Sequence, residues 1–169
     1  NKINGRDTID PLIINIYEYN ISTPSRYTGG LAYVFKSKGL VSIQYDIVNY
    51  QKAAFDVEYG DLNFIEQNRI VENTLKSAGT FKVGGEYRLS RLSLRAGYFN
   101  QDSINKKTND LSNGSSFGLG YDFGGSALNF TFSNLEFERS EPMYQTGLTN
   151  PIQLSKNQFQ FLVSFSLKL

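Results

Sequence analysis

The sequence predicts an all-β fold, a transmembrane antiparallel β-barrel with about eight strands present. Three observations lead there. Apolar and polar residues alternate along many short stretches, the period of a strand with two unlike faces. Tight turns alternate with long polar connections. The 169 residues include 13 Phe and 11 Tyr, yet no apolar run approaches the roughly 18 residues of a membrane helix. A mean hydropathy of −0.36 is compatible with this reading, because a membrane strand that alternates lipid-facing and lumen-facing residues cancels its own signal.

The elements follow in order. "PLIINIYEYNIS" reads as a first strand. "RYTGGLAYVF" and "LVSIQYDIVNY" form a hairpin through Ser37, Lys38 and Gly39, with glycine where a bulge needs positive φ. That turn sets Phe35 against Val41, Tyr33 against Ile43 and Leu31 against Tyr45. On the smaller, more polar side lie Val34 with Ser42, Ala32 with Gln44 and Gly30 with Asp46.

"FKVGGEYRLSRLSLRAGYFN" is the sharpest hairpin. A turn at Ser90 and Arg91 pairs Leu89 with Leu92, Tyr87 with Leu94, Gly85 with Ala96 and Val83 with Tyr98 on one apolar face. The same register pairs Arg88 with Ser93, Glu86 with Arg95, Gly84 with Gly97 and Lys82 with Phe99 on the other. "SSFGLGYDF" and "ALNFTFSNLEF" join through Gly125 and Ser126, which opposes Phe123 to Leu128, Tyr121 to Phe130 and Leu119 to Phe132. Asp122 with Asn129, Gly120 with Thr131 and Gly118 with Ser133 then share the far side. The last strand, "NQFQFLVSFSLKL", sets a stripe of Phe159, Phe161, Val163, Phe165, Leu167 and Leu169 against Gln158, Gln160, Ser164, Ser166 and Lys168.

Long polar loops fall near 51–79, 102–114 and 139–157. Short turns at one end and long loops at the other match an outer-membrane barrel. Within the first loop, "NFIEQNRIVENTLKSAG" fits a short rim helix with Gly79 after its end.

Alternation alone does not say which face meets water, since a soluble barrel alternates too. Charge decides it. The less apolar positions hold Lys82, Glu86, Arg88, Arg95 and Asp122, suited to a hydrated lumen. Tyr45, Tyr50, Tyr98, Phe99 and Phe137 near strand ends suit interfacial girdles. Such a sheet must close, because each unpaired amide in hydrocarbon costs several kcal/mol.

Composition narrows the function. Seventeen Lys and Arg against 16 Asp and Glu, without a basic block, lack the footprint of a nucleic-acid binder, so no nucleic acid is expected as a partner. There are no Cys and no His, which removes disulfides, the usual zinc and copper ligands and the commonest acid-base residue. No catalytic, cofactor-binding or metal site is expected and the chain does not read as an enzyme. Ser166 near Lys168 reads as ordinary lumen polarity, and Asp102, Asn105, Asn109 and Asp110 as a solvated loop rather than a calcium site. The glycine pairs lack the following helix of a nucleotide motif. Beginning at Asn1 without Met or signal peptide, the sequence reads as a mature or partial chain.

"STPSRYTGGLAYVF", "GLVSIQYDIVNY", "FKVGGEYRLSRLSLRAGYF", "SSFGLGYDF" and the aromatic final strand resemble the C-terminal portion of the FadL-type outer-membrane transport proteins, in the variety found in Bacteroidetes. The similarity runs from about Ile13 to Leu169, and is most specific at Pro24 to Phe35 and Val83 to Phe99. The resemblance implies that residues 1–169 are the C-terminal section of a barrel of about fourteen strands in the bacterial outer membrane, taking up hydrophobic compounds such as long-chain fatty acids. The family's N-terminal hatch and roughly its first six strands are absent from the sequence. Expected partners are the lipid bilayer, hydrophobic small molecules and, during assembly, the barrel-insertion machinery, whose signal the Phe159 to Leu169 stripe resembles. Two other readings use the same pattern: a self-contained eight-stranded barrel serving as anchor or adhesion platform, and a soluble lipid-binding β-barrel.

Overall fold

The computed structural model of the chain describes residues 19–36, 38–56, 64–108, 110–142 and 151–167. Antiparallel strands dominate it. In chain order they are β1 (Asn20–Ser22), β2 (Arg26–Phe35), β3 (Gly39–Asn49), β4 (Ala54–Asp56), β5 (Ser77–Leu89), β6 (Leu92–Gln101), β7 (Leu111–Asp122), β8 (Ser126–Pro142) and β9 (Pro151–Leu167), with one helix, α1 (Ile65–Thr74). Seven strands form one sheet in the order β2-β3-β5-β6-β7-β8-β9, while β1 and β4 make a separate two-stranded ribbon. The sheet is open among the described residues, with β2 and β9 as its edges. Of the first predicted strand, residues 11–18 lie outside the described residues, and the end at Asn20–Ser22 joins β4 instead of the large sheet.

The hairpin of β5 and β6 has the predicted register throughout, from Leu89 opposite Leu92 to Lys82 opposite Phe99, with Ser90 at φ 56°. In the other two hairpins the turn sits one residue earlier than predicted. Phe35 opposes Gly39, Tyr33 opposes Val41 and Leu31 opposes Ile43, a slip of two residues. Lys36 takes the positive φ of 51° there, and Gly39 begins β3, where a Cβ would run into the Glu86 carbonyl of β5. Likewise Tyr121 opposes Leu128 and Leu119 opposes Phe130, because Gly124 at φ 100° centres the turn and the Asp122 carboxylate accepts its N–H at 2.7 Å. Both slips preserve the faces, since side chains repeat every two residues.

Strands also reach further into the predicted loops. β5 begins at Ser77, β7 at Leu111, β8 runs on to Pro142 and β9 begins at Pro151, so the polar connections are shorter than the sequence suggested. Helix α1 forms where predicted but stops at Thr74, and Gly79 lies inside β5 with the Tyr45 phenol where its Cβ would be. Asn68 fastens the helix to β4 by accepting from the Phe55 N–H at 2.8 Å and donating to its carbonyl at 2.9 Å. Tyr19, Phe55 and Phe64 cluster beside that contact, with ring centroids 5.6 to 6.1 Å apart. At the helix's C-terminal end the chain meets the 102–108 loop through Lys76 N–H to the Ile104 carbonyl and Lys106 N–H to the Thr74 carbonyl, 2.9 and 2.8 Å.

The sheet has almost no hydrophobic interior. Among the described residues, Val48 and Ala78 are the buried apolar side chains, while Leu31 is 79% exposed and Phe161 65%. A water-soluble sheet of this size covers one face. Here the apolar side chains lie open.

Candidate functional site

Chained together, the registers assign every strand residue to one of two faces. The apolar face carries Tyr33, Val41, Gly85, Ala96, Phe117, Phe132 and Phe161 along one row across all seven strands. Two residues nearer the tight turns, Tyr87, Leu94, Leu119, Phe130 and Val163 make another. The terminal stripe of Phe159, Phe161, Val163, Phe165 and Leu167 is exposed on this face, and Leu169 lies outside the described residues. Over the small residues Gly85 and Ala96 the face dips into a depression of about 620 Å³, walled by Val41, Tyr87, Phe117 and Phe132.

All five lumen candidates, Lys82, Glu86, Arg88, Arg95 and Asp122, fall on the opposite, polar face. Four of them join an ion-pair network made of two separate clusters. Glu86 receives Arg88 on one carboxylate oxygen and the Arg95 Nε on the other at 3.0 Å. Lys82 reaches diagonally to Asp46 at 2.7 Å. Asp46 also accepts from Thr28 at 2.6 Å and from Gln44 at 3.0 and 3.2 Å. Asp122 instead serves the β7–β8 turn through Gly124.

Sequence reasoning had Asp46 on the correct face but not as an ionic centre. Asn129 was missed as a partner of Arg95. The Arg95 Nη1 donates to the Asn129 Oδ1 at 3.0 Å across the whole width of β7. That reach depends on Gly120, where a Cβ would sit 2.5 Å from the Asn129 oxygen and 3.2 Å from the Arg95 Nη1. Glycine here keeps a crossing open.

The carboxylates in the network are sheltered and the cations less so: the Asp46 and Glu86 side chains are 7% and 16% exposed, Lys82 and Arg95 45% and 42%. Sheltering differs by face along single strands. In β3, Ser42 and Gln44 are half-buried and Asp46 and Val48 buried, while Val41, Ile43, Tyr45 and Ile47 are exposed. Two of the expected girdle residues, Phe99 and Phe137, lie on the polar face, where Phe99 leans over Gly114 against Leu135.

The loop oxygens considered for calcium are engaged by backbone N–H groups of the loop and of its neighbours β5 and β8. Asp102 accepts from the Gly79 N–H at 3.2 Å, Asn105 from the Lys107 N–H at 2.8 Å and Asp110 from the Ser140 N–H at 2.9 Å, while Asn109 lies outside the described residues. Ser166 stands on the polar face, and Lys168 lies outside the described residues.

Comparison with known proteins supplies no relative: no family model, no curated protein and no solved structure matches the chain.

Proposed function

We propose that this sheet is part of the wall of an outer-membrane β-barrel of the FadL type, a channel for uptake of hydrophobic compounds such as long-chain fatty acids. The observation that carries the reading is the inversion of the two faces. Phe130, Phe161, Val163 and Phe165 stand on the exposed face, while Asp46 and Glu86 are bound into ion pairs on the sheltered one. A sheet curled toward its polar side gives that contrast, and a bilayer supplies the apolar surroundings that the exposed face lacks. The soluble lipid-binding barrel requires the opposite arrangement.

Strand parity means that the seven described strands need further strands to close. In an antiparallel sheet of seven strands the edges β2 and β9 run in the same direction. Joining them directly makes a parallel seam, and a second copy inserted the same way up meets each edge in parallel as well. An antiparallel wall therefore needs an odd number of further strands between β9 and β2. A barrel of about fourteen strands supplies seven, one more than the FadL resemblance implies, and the self-contained eight-stranded alternative supplies one.

The decisive experiment measures uptake of labelled oleate by bacteria that carry or lack the polypeptide containing these strands. The proposal requires uptake to fall on deletion and to return with the gene. Unchanged uptake, with the protein shown to reside in the outer membrane, rejects the channel and leaves the anchor reading.

A further inference from the structure

At the tight-turn end of the polar face, Arg88, Arg91, Arg95, Ser93, Asp122 and Asn129 line a hollow of about 330 Å³. Three guanidiniums face two carboxylates, because Glu86 is shared between Arg88 and Arg95 and Asp122 stands at the far wall. One positive charge is left over. Asp122 is partly committed already, as its Oδ1 accepts the Gly124 N–H. Each guanidinium presents five N–H donors in a planar fork. Arg88 uses its Nε on Glu86, and Arg95 uses its Nε on Glu86 and its Nη1 on Asn129. The hollow thus combines surplus positive charge, surplus donors and a volume far above the ≈ 30 Å³ of a single water.

We infer that this hollow binds a compact oxyanion, a carboxylate or a phosphate, through Arg88, Arg91 and Arg95. The match is geometric, since a planar fork takes two oxygens of one group at once. Glu86 sets the spacing by holding Arg88 and Arg95 on its two oxygens, and the Ser90 and Ser93 hydroxyls at the rim add donors. The inference rests on the arginine geometry and not on any transport role, so it stands or falls separately from the channel.

The test is a titration of the full chain in zwitterionic detergent, with sodium phosphate and separately with sodium acetate, against sodium chloride at matched ionic strength. Arginine Nε–H resonances are followed by NMR. Saturable shifts of Arg88, Arg91 and Arg95 with one common dissociation constant, in phosphate, acetate or both, support the site and name its oxyanion. Arg91→Gln, at an exposed turn position, weakens that binding about tenfold as a charge-assisted fork is lost. Lys156→Gln, on the same face at the loop end of β9, leaves it unchanged. Absence of saturable shifts with either anion overturns the site, as does equal weakening by Lys156→Gln, which signifies diffuse charge alone.

Discussion

Placing one arginine on each face of β9 separates the two faces energetically. Val163 lies midway along the stripe from Phe159 to Leu167, is 62% exposed and neighbours Phe130. Eight residue steps of about 3.4 Å, tilted by 35–45°, rise about 20 Å, close to the ≈ 25 Å apolar band of a barrel. Val163 is then near the bilayer midplane, where an outward arginine costs about 2–4 kcal/mol. The adjacent Ser164 points to the polar face opposite Asn129, and an arginine there changes stability by about 0.5 kcal/mol or less. The difference shifts the folding equilibrium by roughly 10- to 1,000-fold. The assay is reversible guanidinium unfolding in phosphocholine vesicles, read by far-UV circular dichroism because the chain has no Trp. Equal costs at the two positions, or a larger cost for Ser164→Arg, refute the assignment of faces.

Three further outcomes follow from the same geometry. Asp46→Ala removes the acceptor for Thr28, Gln44 and Lys82, and the same unfolding assay should show a loss of about 2–3 kcal/mol, while Lys82→Met, at a side chain nearly half exposed, costs about 1 kcal/mol or less. Gly120→Val fills the crossing between Arg95 and Asn129 and costs about 1–3 kcal/mol, whereas Gly125→Ala, whose Cβ meets nothing within 4 Å, is nearly neutral; equal effects would deny the crossing. Asn68→Ala cuts both hydrogen bonds to Phe55, so amide exchange across Ile65–Thr74 should speed up about tenfold or more while β5 to β8 stay protected.

How far the sequence could be read depended on what each residue pattern constrains. The hairpin of β5 and β6 was legible to the residue because Glu86 and Arg95 stand directly opposite across a two-residue turn. Its neighbours were legible only as to face. A two-residue slip leaves every side chain on its side, so alternation could not separate the two registers; the positive φ of Lys36 and of Gly124 chose between them. Asp46 and Lys82 escaped notice as partners because β3 and β5 are joined by a long connection, and the pair is diagonal, with Gln44 opposite Lys82 and Asp46 opposite Thr80. Arg95 and Asn129 are separated by an entire strand, and what unites them is the missing side chain of Gly120. Among the described residues the large sheet has seven strands, because the residues of β1 carry strand character but pair with β4, a choice that depends on tertiary contacts beyond the local pattern.

The chain contains no cysteine, so single nitroxide labels can be placed at successive positions 158 to 167 of β9 without background. Power-saturation EPR in phosphocholine vesicles then compares collision with oxygen, which concentrates in the hydrocarbon, against a water-soluble nickel chelate. A two-residue alternation is predicted, with oxygen dominant at 159, 161, 163, 165 and 167 and nickel dominant at the positions between. Nickel dominance on the phenylalanine positions, or no alternation, contradicts a bilayer on the apolar face.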